Sequence, residues 1–192
     1  ILTRAWRHEH GAELRIAACC IDSGFHTEAV YRFVRPRQTR RVWAIKGISQ
    51  PGRALVGKPS RANKYGVKLL PIGVDTAKDV VFSRLRIAQP GPGYLHFPEW
   101  LSEEYFLQLT AEKAVTKFKK GRPVRVYERI PGRRNEALDL ECYALAALLS
   151  LGDTVVRNLG TWVERVREQG EKARAEAEEN RPPAPKPQAP AA

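Results

Sequence analysis

Two aspartates in the sequence stand where a folded chain can hold a metal ion. Asp22 follows Leu14–Ile21 (LRIAACCI), an almost unbroken apolar run that is typical of a buried strand. Asp139 lies near the start of a helix that Asn135 is predicted to cap, beside the apolar stripe that faces the core. Carboxylates held at a sheet edge suit Mg²⁺ or Mn²⁺, which prefer hard oxygen ligands. A second interpretation stays open for each: an Asx turn or helix cap for Asp22, and a favourable helix-dipole interaction for Asp139.

Phosphate contacts are the next chemistry that the sequence suggests. Asp75 follows the apolar run 68–74, and Thr76 after it is a plausible helix N-cap. The string GVDTAK lacks the glycine pattern of a phosphate-binding loop, so capping is the favoured role for Asp75. Lys46 and Lys78 are candidate phosphate contacts. The alternative is that both are ordinary solvated lysines.

The charge of the chain favours a polyanionic partner. Its formal net charge is +12, and residues 1–163 carry 27 basic and 15 acidic residues, so the excess lies in the predicted body. The cations concentrate in a loop over 53–68 and in an arginine run made of Arg32, Arg35, Arg37, Arg40 and Arg41. Either group can follow a nucleic-acid backbone or form a solvated face.

Strands alternate with helices along the sequence, which predicts an α/β domain with a largely parallel sheet. The predicted strands are 14–21, 42–45 and 68–74, and the predicted helices are 26–34, 76–85, 102–109, 136–151 and 161–179. A β-hairpin with a basic tip is predicted over 114–118 and 124–130. The Pro/Ala-rich segment 181–192 is predicted to be disordered. In parallel sheets, functional residues gather at the carboxyl ends of the strands.

Several classes of protein are excluded or disfavoured. The chain has no GxSxG, HExxH or GxGxxG motif, and no apolar run approaches the eighteen residues of a membrane span, so no membrane partner is expected. Its three cysteines lack the spacing of a zinc site or a disulfide framework. They are interpreted as buried thiols of a cytoplasmic protein.

Six segments in order carry a resemblance to a known family. They are DSG (22–24) followed by Val30 and Tyr31, AIKG (44–47), GVDTAKD (73–79), PGPGYLHFP (90–98), EEYFLQLTAE (103–112), and NEALD (135–139) with YALAAL (143–148). From about Trp6 to Leu151, the sequence resembles the nuclease domain of phage terminase large subunits of the lambda-like GpA family.

The resemblance implies a ribonuclease-H-like fold, with a mixed sheet flanked by helices, and a metal-dependent endonuclease that cuts concatemeric double-stranded DNA during genome packaging. It implies that Asp22 and Asp139 are catalytic metal ligands in a two-metal Mg²⁺ or Mn²⁺ site. With such a site, we expect Lys46, Lys78, Arg37, Arg40 and Arg41 to face the DNA backbone. It also implies a terminase small subunit and a portal or procapsid as partners, in the host cytoplasm. ATP is expected to act only through a motor domain outside this chain.

The sequence also departs from the family pattern. No aspartate precedes Asp22, so the family's first acidic residue and its strand are expected to be missing, and a chain that opens with Ile1 and has no methionine is interpreted as a fragment. The resulting domain prediction is an incomplete nuclease domain over 1–151, a helical extension over 152–180, and the tail over 181–192. Weak metal binding and little cutting are expected of this chain alone. The alternative is a catalytically incomplete module that binds DNA or docks on a packaging motor.

Overall fold

The computed structural model describes residues 1–9, 11–61 and 63–180, and the predicted disordered tail lies outside these residues. The strands are β1 (Ala5–Arg7), β2 (Glu13–Arg15), β3 (Cys19–Asp22), β4 (Val42–Ile48), β5 (Leu69–Gly73), β6 (Glu112–Lys119) and β7 (Arg122–Arg129). The α-helices are α1 (Thr27–Val34), α2 (Val74–Leu85), α3 (Glu103–Leu109), α4 (Glu136–Leu149), α5 (Asp153–Arg157) and α6 (Leu159–Glu179). A 3₁₀-helix over Arg35–Arg40 follows α1.

The chain divides into two compact units, the larger of which is Ala17–Asp153. The smaller unit joins Ile1–Ile16 to the chain from Thr154 onward, so the first sixteen residues associate with the carboxy-terminal helix. The prediction of one nuclease domain over residues 1–151 stays a prediction. Among the described residues, no helix is both long and apolar enough to cross a membrane.

A parallel sheet forms the centre of the larger unit. Its strand order is β3-β4-β5, and Asp22 at the end of β3 is the register partner of Ile45. In the described residues, antiparallel pairing onto this sheet is limited to two isolated bridges, Val56 with Ile72 and Ser60 with Leu69. The predicted mixed sheet is therefore essentially parallel, and the longer antiparallel pairs form separate two-stranded sheets.

Two apolar clusters hold the helices against this sheet. Ile45, Leu70 and Ile72 pack with Ala146 of α4, which fixes that helix over the sheet. A second cluster joins α2, α3 and α4 through residues that include Val81, Leu109, Leu138, Cys142 and Leu145. Burying such side chains stabilises each by roughly 1.5–3 kcal/mol, so α4 is held firmly where it carries Asp139.

The predicted hairpin is confirmed and is longer than expected. β6 and β7 pair antiparallel along their whole length, from Glu112 with Arg129 to Lys119 with Arg122. At its base the hairpin docks on α2, where Tyr127 stacks on Phe82 with ring centroids 5.7 Å apart and an interplanar angle of 11°.

Two sequence predictions need correction. The run Leu14–Ile21 is not one strand: β2 pairs with β1 in the smaller unit, whereas β3 starts at Cys19 in the larger one. A continuous apolar run carries no periodic signal that marks a break between two sheets. The helix predicted from Thr76 begins at Val74 with Gly73 as its N-cap, because β5 leads into α2 without a turn.

The smaller unit is a β1–β2 hairpin with α6. Gly11 has a positive φ of 90°, and a Cβ there would lie 2.8 Å from the carbonyl oxygen of Gly170, so glycine is needed at this close approach to the helix. A pocket of about 380 Å³ in this unit is lined by Leu14, Leu159, Trp162, Val163 and Val166, among others. The predicted α6 is confirmed, and its apolar stripe borders this pocket.

Candidate active site

The first candidate ligand, Asp22, ends β3 at the carboxyl edge of the parallel sheet. Its Oδ1 accepts a hydrogen bond of 2.9 Å from the Gly24 backbone N–H, which forms the Asx turn that the sequence left open. Ser23 anchors the turn, because its hydroxyl donates to the Ile45 carbonyl at 2.7 Å and is buried. The Asp22 side chain remains exposed to solvent. The turn therefore fixes the carboxylate without covering it.

The second candidate, Asp139, lies in the first turns of α4. It is half-buried, and its Oδ2 accepts a hydrogen bond of 3.2 Å from the side-chain amide of Asn135. Asn135 occupies the N-cap position, as predicted, but its side chain makes no cap hydrogen bond. The amide instead connects two carboxylates, since it also donates to Glu112 Oε1 at 2.8 Å.

A buried ion pair stands behind these groups. Lys78 of α2 and Glu112 of β6 are only 7% and 8% exposed, and the Lys78 Nζ lies 2.7 Å from Glu112 Oε2. The phosphate-contact prediction for Lys78 assumed an ammonium on the surface, and the structure places it in this pair. Lys78, Glu112, Asn135 and Asp139 thus form one continuous polar chain from α2 to α4.

Helix α4, which carries Asp139, packs against β3, which ends at Asp22. Burial raises the pKa of Asp139, and the negative charges of Glu112, Glu136 and Asp22 raise it further, while Lys78 opposes the shift. Tyr143, one turn along α4 from Asp139, has a pKa raised by burial and then by the charges of Asp22 and Asp139. The structure therefore brings β3 and α4 together around an excess of negative charge.

A cation is the natural complement of that charge. Two carboxylates from separate elements fit one hard divalent ion, with water completing its coordination shell. Within residues 1–9, 11–61 and 63–180, however, no three histidine, cysteine or carboxylate side chains form a ready-made metal-binding group.

Glu112 and Tyr143 were missed as site residues by sequence reasoning. Both lie in segments that carried the family resemblance, but neither follows a strand end or flanks a turn, which are the positions that attract attention in a sequence. The Tyr143 hydroxyl lies over Gly47 of β4, where an added Cβ would be 3.7 Å from it. The tighter neighbour of that Cβ would be Val74 Cγ1, at 3.0 Å.

The remaining predicted residues have other contacts or orientations. Asp75 is buried in the first turn of α2 and accepts a hydrogen bond from the Ser49 hydroxyl at 3.3 Å. The prediction that Asp75 caps the helix is therefore wrong, since the N-cap is Gly73. Lys46 is exposed on β4 and follows Ile45, the register partner of Asp22. Because side chains alternate along a strand, the Lys46 side chain points to the face of the sheet opposite to that of Ile45 and Asp22.

Two of the predicted DNA-facing arginines lie at the amino ends of the parallel strands, whereas Asp22 lies at a carboxyl end. Arg40 and Arg41 precede β4, and the Arg41 carbonyl accepts from the Cys19 N–H at the start of β3, about 10 Å along the strand from Asp22. The Arg37 guanidinium lies 4.1 Å from the centre of the Phe33 ring and donates to the Phe33 carbonyl at 2.8 Å. The structure therefore places Arg40 and Arg41 away from the Asp22 carboxylate.

Comparison with known proteins gives the class. Residues 1–157 match the family described as terminase large subunit gpA, endonuclease domain, and the chain belongs to this family. Over 157 residues it is 37% identical to the terminase large subunit of Escherichia phage lambda and 34% identical to that of Enterobacteria phage P21. Each match covers 77% of this chain and 24% of the relative, so the chain spans about a quarter of their length. No solved structure matches the chain.

Proposed function

We propose that this chain is the nuclease portion of a phage DNA-packaging terminase and that Asp22 and Asp139 hold a Mg²⁺ or Mn²⁺ ion for cleavage of double-stranded DNA. The observation that supports this most is that α4, which carries Asp139, packs against β3, which ends at Asp22, in a member of an endonuclease-domain family. The ribonuclease-H-like fold is part of the same proposal.

A bound divalent ion would polarise the scissile phosphate and lower the pKa of a water ligand. The side chains of this chain have separate tasks. Asp22, fixed by the Asx turn, presents its carboxylate at the solvent-exposed edge. Asn135 orients Asp139 by donating to its Oδ2, and the Lys78–Glu112 pair holds Asn135 in place. We place Lys78 and Glu112 as positioning residues.

The wider role that we propose for this chain is the one implied by its family. We propose that the DNA is the concatemer of the packaging reaction in the host cytoplasm, with a terminase small subunit and a portal or procapsid as partners. ATP would act through a motor domain.

The test is nicking of supercoiled plasmid by the 192-residue chain with Mn²⁺, with EDTA as a control. We expect slow nicking that is lost in Asp22→Asn and Asp139→Asn, since removing an essential group costs about a thousandfold or more. Asp153→Asn, an exposed aspartate at the start of α5, is the matched control and should retain the rate. Nicking that persists unchanged in both site variants would refute the proposal.

A second candidate is a module that binds DNA but does not cut it. The observation in its favour is that the described residues contain no ready-made group of three metal ligands. Salt-sensitive DNA binding that is unaffected by Asp22→Asn, without any Mn²⁺-dependent nicking, would favour this candidate.

A further inference from the structure

The outer part of the β6–β7 hairpin presents an exposed phenylalanine among cations. We call residues 117–124 the hairpin arm. Phe118 is 75% exposed, and the arm contains four basic residues and no acidic one. Lys117 is ion-paired with Glu128, so the uncompensated charge lies on Lys119, Lys120 and Arg122. An exposed aromatic ring within a positive patch is typical of a surface that meets another molecule.

The tip of the arm is a tight turn that fixes these side chains. Lys119 pairs with Arg122, and the two residues between them, Lys120 and Gly121, have φ values of 50° and 75°. Positive φ at both positions is the pattern of a type I′ turn, in which asparagine or glycine is favoured at the first position. Lysine is uncommon in this backbone conformation. The turn therefore carries a cation where local preference favours a different residue.

The base of the hairpin is bonded to the acidic site. Glu112 opens β6 and joins Asp139 through Asn135, and the Tyr127 hydroxyl of β7 donates to Asp79 Oδ1 at 2.6 Å. From Glu112 to Lys119 the strand rises about 24 Å. The arm thus reaches outward from the candidate cleavage centre on a fixed base.

We propose that the hairpin arm inserts into the major groove of duplex DNA, where Lys119, Lys120 and Arg122 contact phosphates and Phe118 contacts base edges. The major groove is about 12 Å wide and admits a two-stranded β-ribbon. A net positive arm without acidic residues is complementary to the phosphate backbone. The identity of the polymer rests on the proposed function, but the arm is distinct from every residue assigned to DNA above.

The test measures binding of a labelled 30-bp duplex by fluorescence anisotropy in EDTA, over a range of salt concentrations. The arm variant is Lys119→Gln/Lys120→Gln/Arg122→Gln. The control removes three exposed cations from α6, as Arg165→Gln/Lys172→Gln/Arg174→Gln, and lowers the net charge equally. A third variant, Phe118→Ser, removes only the ring, and circular dichroism checks that each variant folds.

We expect the arm variant to bind about 10- to 100-fold more weakly and to lose about 2–3 from the slope of log K against log salt, since each phosphate contact contributes about 0.9. Phe118→Ser should weaken binding about 10- to 100-fold with an unchanged slope, because the ring is no longer buried against the bases. Equal losses in the arm and α6 variants would overturn the proposal, because net charge alone would then explain binding. Parent-like affinity in the arm variant would also overturn it and favour an acidic protein as the occupant.

The two proposals fail separately. The anisotropy assay requires no metal and no cleavage. If the chain does not cut DNA but the arm variant loses DNA affinity, the arm proposal is supported and the cleavage proposal is refuted. If the chain cuts DNA with Mn²⁺ but the arm variant binds DNA like the parent, the cleavage proposal is supported and the arm proposal is refuted.

Discussion

Lys78 and Glu112, 34 residues apart in sequence, form an ion pair of 2.7 Å that is more than nine-tenths buried beside the carboxylate of Asp139. The pair joins α2 to the first residue of the hairpin, and Asn135 extends the connection to α4. The same contacts therefore hold the tertiary structure together and orient one of the two candidate metal ligands.

Removing one partner of this pair should be strongly destabilising. Glu112→Leu leaves a buried ammonium without its carboxylate, and we expect a loss of about 3–5 kcal/mol in the free energy of unfolding. The double variant Lys78→Met/Glu112→Leu should lose less than the sum of the two single variants, because it leaves no unpaired charge. Urea unfolding measures both. The exposed pair Arg134–Glu136 supplies the control, since Arg134→Ala should cost less than about 1 kcal/mol.

If Glu112→Leu and Arg134→Ala lowered the free energy of unfolding equally, the claim that Lys78 and Glu112 form a buried ion pair would be contradicted.

Gly73 should not tolerate a side chain. A Cβ at this position would lie 2.6 Å from the Ala54 carbonyl oxygen and 2.9 Å from that of Arg53, so the backbone of the preceding loop would have to move. We expect Gly73→Ala to cost about 1–3 kcal/mol of stability, which thermal or urea unfolding will show. Gly91→Ala is the matched control, because no atom lies within 4 Å of its added Cβ. A Gly73→Ala protein as stable as the control would show that the loop does not pack here.

The thiols of Cys142 and Cys20 should be nearly inert in the folded protein. Burial raises the pKa of Cys142 to about 12, and burial together with Cys19 raises that of Cys20 to about 12. Only the thiolate is alkylated, so at pH 8 both should react with iodoacetamide about a thousandfold more slowly than an ordinary thiol. Mass spectrometry of labelled peptides measures the rates, and the guanidinium-unfolded chain is the control. Fast labelling of Cys142 in the folded chain would contradict its burial.

The raised pKa values of these thiols also make the stability of the folded chain depend on pH. The unfolded thiols lose their protons near pH 9, before the folded ones do. Their contribution to stability is therefore complete below that pH and declines as the pH rises toward 12.

Sequence patterns predicted the elements that position the site. The turn after Ile21 and the N-cap position of Asn135 were visible, because strand ends and caps leave local signals. They place Asp22 at the sheet edge and Asp139 on the helix above it, as the structure does. The cysteine prediction is confirmed for Cys142, whereas Cys19 and Cys20 are half-buried.

Long-range partners could not be predicted in this way. Nothing local distinguishes Lys78, which is buried against Glu112, from a solvated lysine on a helix, because the difference arises only when the hairpin docks on α2. The same holds for the association of Ile1–Ile16 with the carboxy-terminal helix. Tertiary packing decides these contacts, and a single sequence does not encode them as periodicity.

The central claim is that Asp22 and Asp139 hold one cation together, and Mn²⁺-dependent thermal stabilisation tests it most directly. A ligand that binds only the folded chain raises its melting temperature. We predict that Mn²⁺ raises the melting temperature of the parent chain, that Asp22→Asn and Asp139→Asn each remove most of this rise, and that the double variant loses little more, because the two carboxylates serve a single ion. A Mn²⁺-dependent rise that survives in both single variants would contradict the account.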